Sequence, residues 1–356
     1  MLAGLEARGF RNLESLHAPF ERGTHLFLGD NGAGKTSLLE AVYLLATTRS
    51  FRTSQISDCC RHGEEAFALI GEVEGEQRTR LEFQWHRGER DRRVNGRKGS
   101  LSEHLAVLPV VSWSSGDLDI LLGPPAERRR FIDRGVVGLR PTAIQVLTRY
   151  RKALAEKRQL LLSGSGELDV WNGVLANAAA ELIQLRSEFV QRLEGTLAEV
   201  LAQCDLGFPS IQLSYRCSPS EGLDGAEAIY QTLEAAVDRE RRRERPLIGP
   251  HRDELRILWD GHGIRRVASA GERKALGLSL HAALGWILQA SGKEPIYLLD
   301  DADTELDRHR LEALWRVFGD VPQLFATSNR PQIWDGLGTA HRWQLERGRI
   351  LSQPEG

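Results

Sequence analysis

The sequence predicts an α/β fold in which both ends of the chain build one head and a mainly helical lobe is inserted between them. Residues 1 to about 112 hold short apolar or alternating segments separated by Gly and Asn, a pattern typical of strands. Residues 126–245 follow a helical periodicity instead. Short apolar segments return after about residue 247. We therefore expect a head at 1–125 and 246–356 and an inserted lobe at 126–245.

Each predicted element follows from these local patterns. In the first part we expect strands at 2–8, 24–28, 67–73, 80–85 and 106–112, and a helix at 37–48. In the middle we expect helices at 143–162, 168–203 and 226–243, a break at 163–166 and a strand at 211–215. In the last part we expect strands at 254–259, 264–267, 295–299, 323–327 and 341–345. Long helices with short breaks favour an antiparallel helical arm.

The composition is that of an ordinary globular protein, with 41% hydrophobic and 27% charged residues among 356. Lys plus Arg is 47 and Asp plus Glu is 49, which excludes a bulk basic tail but permits a local basic groove. No window approaches 18 uninterrupted apolar residues, and no basic start precedes an apolar run. The four cysteines form no Cys-x-x-Cys pair. We expect a cytoplasmic, nucleoid-associated protein without a membrane partner.

Residues 29–36 match the G-x-x-x-x-G-K-[ST] pattern of a phosphate-binding loop, between a predicted strand and a predicted helix. Glycines let backbone N–H groups curl around phosphates. Lys35 is expected to reach the β- and γ-phosphates, and the Thr36 hydroxyl to ligate Mg²⁺. The residues expected to bind the nucleotide here are Gly29, Asp30, Asn31, Gly32, Ala33, Gly34, Lys35, Thr36 and Ser37.

An apolar strand at 295–299 ends in two acids, Asp300 and Asp301. Ligands of open α/β sheets lie at the carboxyl ends of strands. We therefore expect Asp300 to hold Mg²⁺, and Asp301 to orient or deprotonate the attacking water. The simpler alternative is a pair of solvated acids before a helix.

A predicted helix begins with Ser269-Ala270-Gly271-Glu272, 31 residues before the first acid of the pair. Such a helix start followed by such a pair resembles the signature of ABC-type ATPases. In those proteins the serine and the helix N-terminus contact a γ-phosphate held by the other subunit. A plain N-cap serine is the alternative interpretation. Thr327 stands where many ABC ATPases place a γ-phosphate-sensing histidine.

Several longer motifs resemble the RecF family of bacterial recombination-mediator ATPases, over residues 2–351. The motifs are Phe10-Arg11-Asn12, residues 38–43, residues 49–52, residues 127–133 (ERRRFID), residues 249–255 (GPHRDEL), Leu299-Asp300-Asp301 and Glu305-Leu306-Asp307. One departure is Glu272, where family members more often have Gln. The resemblance implies an α/β, ABC-type (SMC-like) P-loop ATPase head with an inserted helical lobe.

The resemblance also implies an activity and a set of partners. It implies slow, DNA-dependent hydrolysis of ATP with Mg²⁺ by a homodimer that forms on ATP. In each composite site Lys35 of one chain would face Ser269 of the other. Binding to duplex, gapped or junction DNA, cooperation with RecR and RecO, and loading of RecA are implied as well. The resemblance adds Arg11, Gly271 and Asp307 to the nucleotide-binding residues.

The predicted DNA contacts lie in a hairpin at 87–98, which has six basic and two acidic residues. The candidate contacts are Arg92, Arg93, Arg97 and Lys98. A solvated hairpin edge is an equal alternative. Arg128, Arg129 and Arg130 could face DNA or be ion-paired. Residues 239–245 mix five arginines with two glutamates, which predicts a solvated helix face.

Three other functions compete with the recombination ATPase. A transporter's nucleotide-binding subunit would share the phosphate loop, signature and acid pair, but usually carries Glu at the position of Asp301. A chromosome ATPase of the SMC or zinc-hook kind needs much longer coiled coils. An ATP-gated clamp, in which turnover only resets assembly, overlaps the main hypothesis. The roles of His251, Arg252 and Asp253 stay open between lining the nucleotide and supporting the signature helix.

Overall fold

The computed structural model describes residues 1–164, 167–219, 225–338 and 340–352, in two compact units. The head unit comprises Met1–Leu118, Thr196–Phe208 and Ala268–Gly356, and the helical unit comprises Asp119–Gly195 and Pro209–Val267. Relative to the expected limits, residues 119–125 and 246–267 lie in the helical unit and 196–208 lie in the head unit. Among the described residues no helix has the length and apolar character needed to span a membrane.

The described chain contains fourteen strands and nine α-helices. The strands are β1 (Leu2–Phe10), β2 (Leu13–Pro19), β3 (Gly23–Leu28), β4 (Ala66–Val73), β5 (Thr79–His86), β6 (Glu89–Val94), β7 (Val110–Trp113), β8 (Ile211–Arg216), β9 (Glu254–Trp259), β10 (His262–Gly263), β11 (Ile296–Leu299), β12 (Gln323–Ser328), β13 (Ala340–Glu346) and β14 (Arg349–Ser352). The helices are α1 (Lys35–Thr47), α2 (Leu101–Val107), α3 (Asp119–Leu122), α4 (Pro125–Leu139), α5 (Ala143–Ser163), α6 (Leu168–Cys204), α7 (Ala226–Arg243), α8 (Ala270–Ala290) and α9 (Arg308–Phe318).

The head unit is built on two sheets with α1 in their common core. One sheet is antiparallel, in the order β2-β1-β4-β5-β6. The other has the order β14-β13-β3-β12-β11-β7, and β13, β3, β12, β11 and β7 run parallel. β12 therefore lies between β3 and β11, so the carboxyl ends of these three strands are adjacent. This is the edge at which ligands bind in open α/β sheets.

The helical unit contains α3, α4, α5, α7 and most of α6, together with a small sheet in the order β10-β9-β8. Apolar residues recur on one face of each long helix, as in Leu175, Leu182 and Phe189 of α6, which are at most 1% exposed. Gly135 of α4 allows a close approach here, because a Cβ at this position would lie 2.0 Å from Phe189 Cζ. The core of this unit is thus formed by tightly packed helices.

Most expected elements are present, and the exceptions have local causes. Residues 106–112 do not form one strand, because Ser100 and Glu103 form a capping box that starts α2. Residues 264–267 contain a short 3₁₀-helix at Ile264–Arg266 instead of a strand. The elements that were not predicted are β2, β10, β14, α2, α3, α4 and α9, and the predicted hairpin at 87–98 contains β6. Residues 165 and 166 of the expected break lie outside the described residues.

Buried His25 of β3 predicts an acid-sensitive head unit. Its Nδ1 accepts the indole N–H of Trp343 at 3.0 Å, and its Nε2 lies 2.9 Å from the Glu21 carbonyl. Burial lowers the pKa of His25 from 6.5 to about 4. The unfolded chain therefore binds an extra proton between these pH values. The free energy of unfolding therefore does not depend on His25 protonation above about pH 6.5, and it decreases as the pH falls from there towards 4.

We expect His25→Phe to reduce the loss of unfolding free energy between pH 7 and pH 4.5 by about 2–3 kcal/mol. The measurement is urea denaturation at both pH values. His62→Gln, at an exposed position, serves as the control and should leave the pH dependence as in the unaltered protein. An unchanged pH dependence in His25→Phe would contradict the assignment.

Candidate functional site

The phosphate loop joins β3 to α1 and depends on three glycines with positive φ. The φ angles are 151° at Gly29, 84° at Gly32 and 109° at Gly34, a region that disfavours side chains. A Cβ on Gly29 would also lie 2.4 Å from the carbonyl oxygen of Leu345. No acidic residue occupies the first turn of α1, and no side chain caps it. The backbone N–H groups of this turn are thus suited to an anion.

Two side chains define the interior of the loop. The Lys35 ammonium donates hydrogen bonds to the carbonyl oxygens of Gly29 at 2.6 Å and Asp30 at 3.1 Å. It is 6% exposed, so its charge lies inside the loop. The Asn12 amide donates to the Gly32 carbonyl at 3.0 Å from the β1–β2 turn. No sequence pattern identified Asn12 as a support of this loop.

Asp300 follows β11 and lies against two hydroxyl groups. Thr36 Oγ1 donates to Asp300 Oδ1 at 2.9 Å, and Thr327 Oγ1 donates to the same oxygen at 2.8 Å. Burial raises the pKa of the Asp300 carboxyl above its usual value. Thr36 belongs to α1, and Asp300 follows β11 more than 260 residues later in the chain. Their side chains meet at this edge of the sheet.

The hydroxyl of Thr36 and the carboxylate of Asp300 fit a magnesium ion. Both are hard oxygen donors, which Mg²⁺ prefers, and Mg²⁺ is usually held by one or two side chains together with substrate phosphates. Among the described residues, no group of three or more His, Cys, Asp or Glu could hold a metal ion alone. An ion held by Thr36 and Asp300 would need further oxygen ligands, such as phosphate oxygens and water.

Thr327 links the two carboxylates. Its hydroxyl accepts the backbone N–H of Asp301 at 2.8 Å while it donates to Asp300. Asp301 itself has a φ of 46°, a left-handed conformation that Asp and Asn adopt more readily than other residues. Thr327 is fully buried at the end of β12. Its hydroxyl thus contacts both acidic residues, which the comparison with a sensing histidine did not suggest.

We expect Thr327→Val to lower ATP turnover about tenfold and to raise the Mg²⁺ concentration needed for half-maximal turnover. Valine removes the donor to Asp300 and leaves the Asp301 N–H unpaired, a loss of about 1–3 kcal/mol. The check is a magnesium titration of turnover, with Thr327→Ser as the control that retains the hydroxyl. An unaltered magnesium dependence in Thr327→Val would show that the hydroxyl does not position the carboxylates.

The predicted signature forms the start of α8. Ser269 is the N-cap, and its Oγ accepts the Glu272 N–H at 3.3 Å. The Glu272 carboxylate accepts the Ser269 N–H at 2.7 Å, which completes a capping box. Glu and Gln both serve at this position of a capping box, so the departure at Glu272 is compatible with the helix start. Ser269 is exposed.

The same helix is tied to the carboxylate loop by Lys274. Its ammonium donates to the Asp301 carbonyl at 2.9 Å and to Thr304 Oγ1. It is 4% exposed, and burial lowers its pKa. No sequence pattern predicted that Lys274 would contact the carboxylate loop, because it is a single lysine before a long apolar stretch of the helix. α8 can lie close to the sheet because Gly277 and Gly285 face Trp113 and Tyr297.

Gly271 and Asp307 both lie close to Arg310 at the next loop. A Cβ on Gly271 would lie 3.2 Å from both Arg310 Nη1 and the Glu305 carbonyl. Asp307 is the N-cap of α9, and its carboxylate accepts the Arg310 N–H and Nη1, each at 2.8 Å. The head unit therefore brings the signature turn and the Glu305–Asp307 segment together. Neither residue's predicted contact with a nucleotide is tested by these distances.

Arg11 lies in a buried cluster around Glu40. Its Nε and Nη2 donate to the Glu40 carboxylate at 2.9 and 2.7 Å, and its Nη1 donates to the Asp58 carbonyl at 2.5 Å. Ser50 and Arg52 also donate to Glu40, which is fully buried in α1. Residues of three family motifs thus form one cluster. The three guanidinium nitrogens of Arg11 all donate hydrogen bonds within the fold. The predicted contact of Arg11 with a nucleotide stays a prediction.

The predicted DNA stripe does not lie on one surface. Arg92 pairs with buried Phe83 and Arg93 with Glu82, so Arg92 and Arg93 point to opposite faces of the sheet. Asp91 accepts Arg93 Nε at 2.8 Å and lies 3.3 Å from Lys98 Nζ. Arg97 and Lys98 are exposed. The hairpin is therefore less positive, on any one face, than its sequence indicates.

The two longest family motifs pack within the helical unit. Arg128 forms an ion pair with Glu254 at 2.7 Å, and Arg129 donates to the Asp253 carbonyl at 2.8 Å. Tyr150 Oη lies 2.7 Å from His251 Nδ1. Arg130 is 69% exposed at its side chain. Arg130 nevertheless forms an ion pair with Glu127 at 2.7 Å, so all three arginines have partners within the fold.

Comparisons with known proteins agree with this geometry. Residues 1–340 match the model of the RecF/RecN/SMC N-terminal domain family. The DNA replication and repair protein RecF of Acidothermus cellulolyticus is 34% identical over 345 residues, which cover 92% of this chain and 93% of that protein.

Solved structures show the same architecture. The recombination mediator protein RecF with ATP, of the RecFOR pathway, matches with a TM-score of 0.89 at 26% identity, over 99% of this chain and 97% of that one. An SMC head bound to the C-winged helix domain of ScpA matches with a TM-score of 0.58 at 17% identity, over 98% and 95% of the two chains, and supports the fold alone. The predicted α/β, ABC-type (SMC-like) P-loop ATPase head with an inserted helical lobe is confirmed. The chain belongs to the RecF family.

Proposed function

We propose that this chain binds ATP with Mg²⁺ in the head unit and hydrolyses it slowly. The observation that carries the proposal is the convergence of Thr36, Asp300 and Thr327 beside the phosphate loop. The α1 N-terminus and Lys35 would hold the phosphates. Thr36 and Asp300 would hold Mg²⁺, which neutralises charge on the β- and γ-phosphates. Asp301 would orient and deprotonate the attacking water.

The exposed signature serine supports an ATP-dependent homodimer. Within one chain, the start of α8 is closed by the capping box of Ser269 and Glu272, and Ser269 is exposed there. In the proposed dimer the Ser269 hydroxyl of one chain would contact the γ-phosphate held by Lys35 of the other. Gly271 and Asp307 would lie at the same interface. Lys274 would then link the signature of each chain to its own Asp301.

Ser269→Arg tests this arrangement. A long cation at the exposed N-cap would obstruct the interface, so ATP should no longer produce a dimer in sedimentation velocity. Binding of ATP to the single chain should stay within about twofold, because Ser269 is not part of the phosphate loop. Ser291→Arg, at the exposed other end of α8, is the matched control and should still dimerise.

Two outcomes of that experiment would count against the proposal. If Ser269→Arg dimerised on ATP as readily as the unaltered protein, the composite site would be wrong. If Lys35→Met also dimerised with ATP, the phosphate loop would not control the association.

The proposed task of the dimer is to recognise gapped or junction DNA and to help load recombinase. This follows from family membership: the relatives carry the name DNA replication and repair protein, and the RecF structure is that of a recombination mediator in the RecFOR pathway. The proposed partners are DNA, RecR and RecO, with RecA as the indirect client. Such a protein would work at the nucleoid. The hairpin residues Arg92, Arg93, Arg97 and Lys98 remain proposed DNA contacts.

A transporter's nucleotide-binding subunit is not favoured. The chain matches RecF over nearly its whole length, including the helical unit, which the transporter hypothesis leaves unexplained. Asp301 is one methylene shorter than the Glu common in transporters, and this supports slow turnover that resets an assembly.

A further inference from the structure

Five arginines surround the carboxyl-terminal end of α7, and we call them the α7 arginine cluster. They are Arg239, Arg241, Arg242, Arg243 and Arg245, and all five are exposed. Two glutamates, Glu240 and Glu244, lie in the same stretch. From the sequence this mixture predicts an ordinary solvated helix face.

The structure removes Glu240 from that surface. Its carboxylate is fully buried, 2.6 Å from the ammonium of Lys157, which is fully buried as well. Its other oxygen accepts the backbone N–H of Leu247 at 2.6 Å. The negative charge of Glu240 is therefore compensated inside the helical unit. Glu244 is the one exposed carboxylate left between residues 239 and 245.

None of the five arginines forms an ion pair or side-chain hydrogen bond with any residue that the structure describes. This sets them apart from most other arginines on the surface of the protein. Arg140, Arg149 and Arg342, for example, contact Glu188, Glu181 and Asp335. The cluster therefore presents uncompensated positive charge.

The helix geometry spreads this charge over a broad surface. Ile229, Leu233, Ala236 and Glu240 form the buried face of α7. Successive residues turn by about 100°, so Arg242 points away from the buried face, Arg239 and Arg241 lie to either side of it, and Arg243 lies near its edge in the last turn. Cations in the last turn of a helix stabilise it by about 0.3–1 kcal/mol each. That benefit falls off beyond one turn, and five neighbouring like charges repel one another.

The segment that follows α7 contains one further exposed arginine, Arg252. His251 lies near Lys157, the buried partner of Glu240, and near exposed Arg252. Burial, followed by the charges of Arg252, Arg129 and Lys157, lowers the pKa of His251 to about 4. His251 is thus neutral at pH 7, and Arg252 is an exposed cation next to it in the chain.

We propose that the α7 arginine cluster binds the phosphate backbone of duplex DNA. Guanidinium groups are suited to phosphate, and uncompensated ones are the most effective because no ion pair must be broken. No aromatic residue lies between 238 and 245, so base stacking of the kind used for single strands is absent from this stretch. The inference rests on the proposed DNA-binding function and names a site for it. The hairpin, by contrast, has Asp91 compensating two of its cations.

The test compares the unaltered protein with Arg241→Ala/Arg242→Ala/Arg243→Ala. Binding to a gapped duplex is measured by fluorescence anisotropy with ATP and Mg²⁺ between 50 and about 200 mM salt. Each lost phosphate contact lowers the slope of log affinity against log salt by about 0.9. We expect the slope to fall by about 2–3 and the affinity at low salt to fall at least about tenfold.

Two further variants separate charge from folding. Arg140→Ala/Arg149→Ala/Arg342→Ala removes the same charge from ion-paired arginines and should change the slope by less than about 1. The triple Arg-to-Lys variant at 241–243 keeps the charge and should keep most of the slope.

Each remaining outcome overturns a specific claim. If the unaltered protein does not bind DNA at any salt concentration, the proposed function fails and the cluster proposal fails with it. If the unaltered protein and the ion-paired control bind, but the triple alanine variant binds with an unchanged slope, the cluster proposal alone is wrong. A lower unfolding temperature with an unchanged slope would restrict the cluster to stabilising the end of α7.

Discussion

Replacing Asp301 with asparagine is expected to lower ATP turnover by about 10²–10⁴-fold while ATP still binds. A carboxylate at the proposed position accepts a proton from the attacking water, and the amide of asparagine cannot. The backbone should not change, because Asp301 has a φ of 46° and asparagine tolerates this conformation. Its N–H bond to Thr327 and its carbonyl bond from Lys274 are retained, since both involve backbone atoms.

The measurement is phosphate release from saturating ATP and Mg²⁺, with and without gapped duplex, together with ATP-induced dimerisation. Asp335→Asn is the control, since Asp335 is an exposed partner of Arg342. A variant that dimerised on ATP but no longer hydrolysed it would also trap the ATP-bound state. Turnover within threefold of the unaltered protein would mean that another group activates the water.

Arg186→Met is expected to destabilise the helical unit by about 3–5 kcal/mol. Arg186 is 4% exposed and donates to Asp133 at 2.9 Å, to Asp253 at 2.8 Å and to the Pro250 carbonyl at 2.7 Å. Asp253 is fully buried, and burial raises its pKa even beside the guanidinium. Removing the cation would leave buried carboxylate charge without its partner.

The measurement is hydrogen exchange of the backbone amides in β8 and in α6 up to Gly195. Both segments belong to the helical unit, so their exchange reports its stability. Adding Asp253→Asn to Arg186→Met should recover part of the loss, since the uncompensated charge is then gone. The deficit of Arg186→Met should also shrink as the pH falls and Asp253 becomes protonated. A loss below about 1 kcal/mol would show that water reaches these carboxylates in place of Arg186.

The sequence was sufficient for those parts of the site that depend on neighbouring residues. The phosphate loop between a strand and a helix, the acids after β11 and the helix start at Ser269 are local patterns, and each lies where it was expected. The contact of Thr36 with Asp300 depends instead on the strand order β3-β12-β11. No local pattern specifies that order, so Thr327 between them could not be recognised as their link.

Charge was the property that the sequence described least well. Burial decides which charges reach the surface, and neither the pairing of Lys157 with Glu240 nor that of Arg11 with Glu40 follows from composition. The alternation of β6 separated Arg92 from Arg93, although they are adjacent in the chain. The strand expected at 106–112 is present only from Val110, because α2, which begins at the capping box of Ser100 and Glu103, continues to Val107.

The central claim, that ATP bound at the phosphate loop controls binding to DNA, is tested most directly by one equilibrium measurement. Affinity for a gapped duplex is determined with ATP and Mg²⁺ and without nucleotide, for the unaltered protein and for Lys35→Met. We predict tight binding only for the unaltered protein with ATP. Equal affinity without ATP, or in Lys35→Met, would contradict the account and leave an ATPase of this fold whose nucleotide serves another purpose.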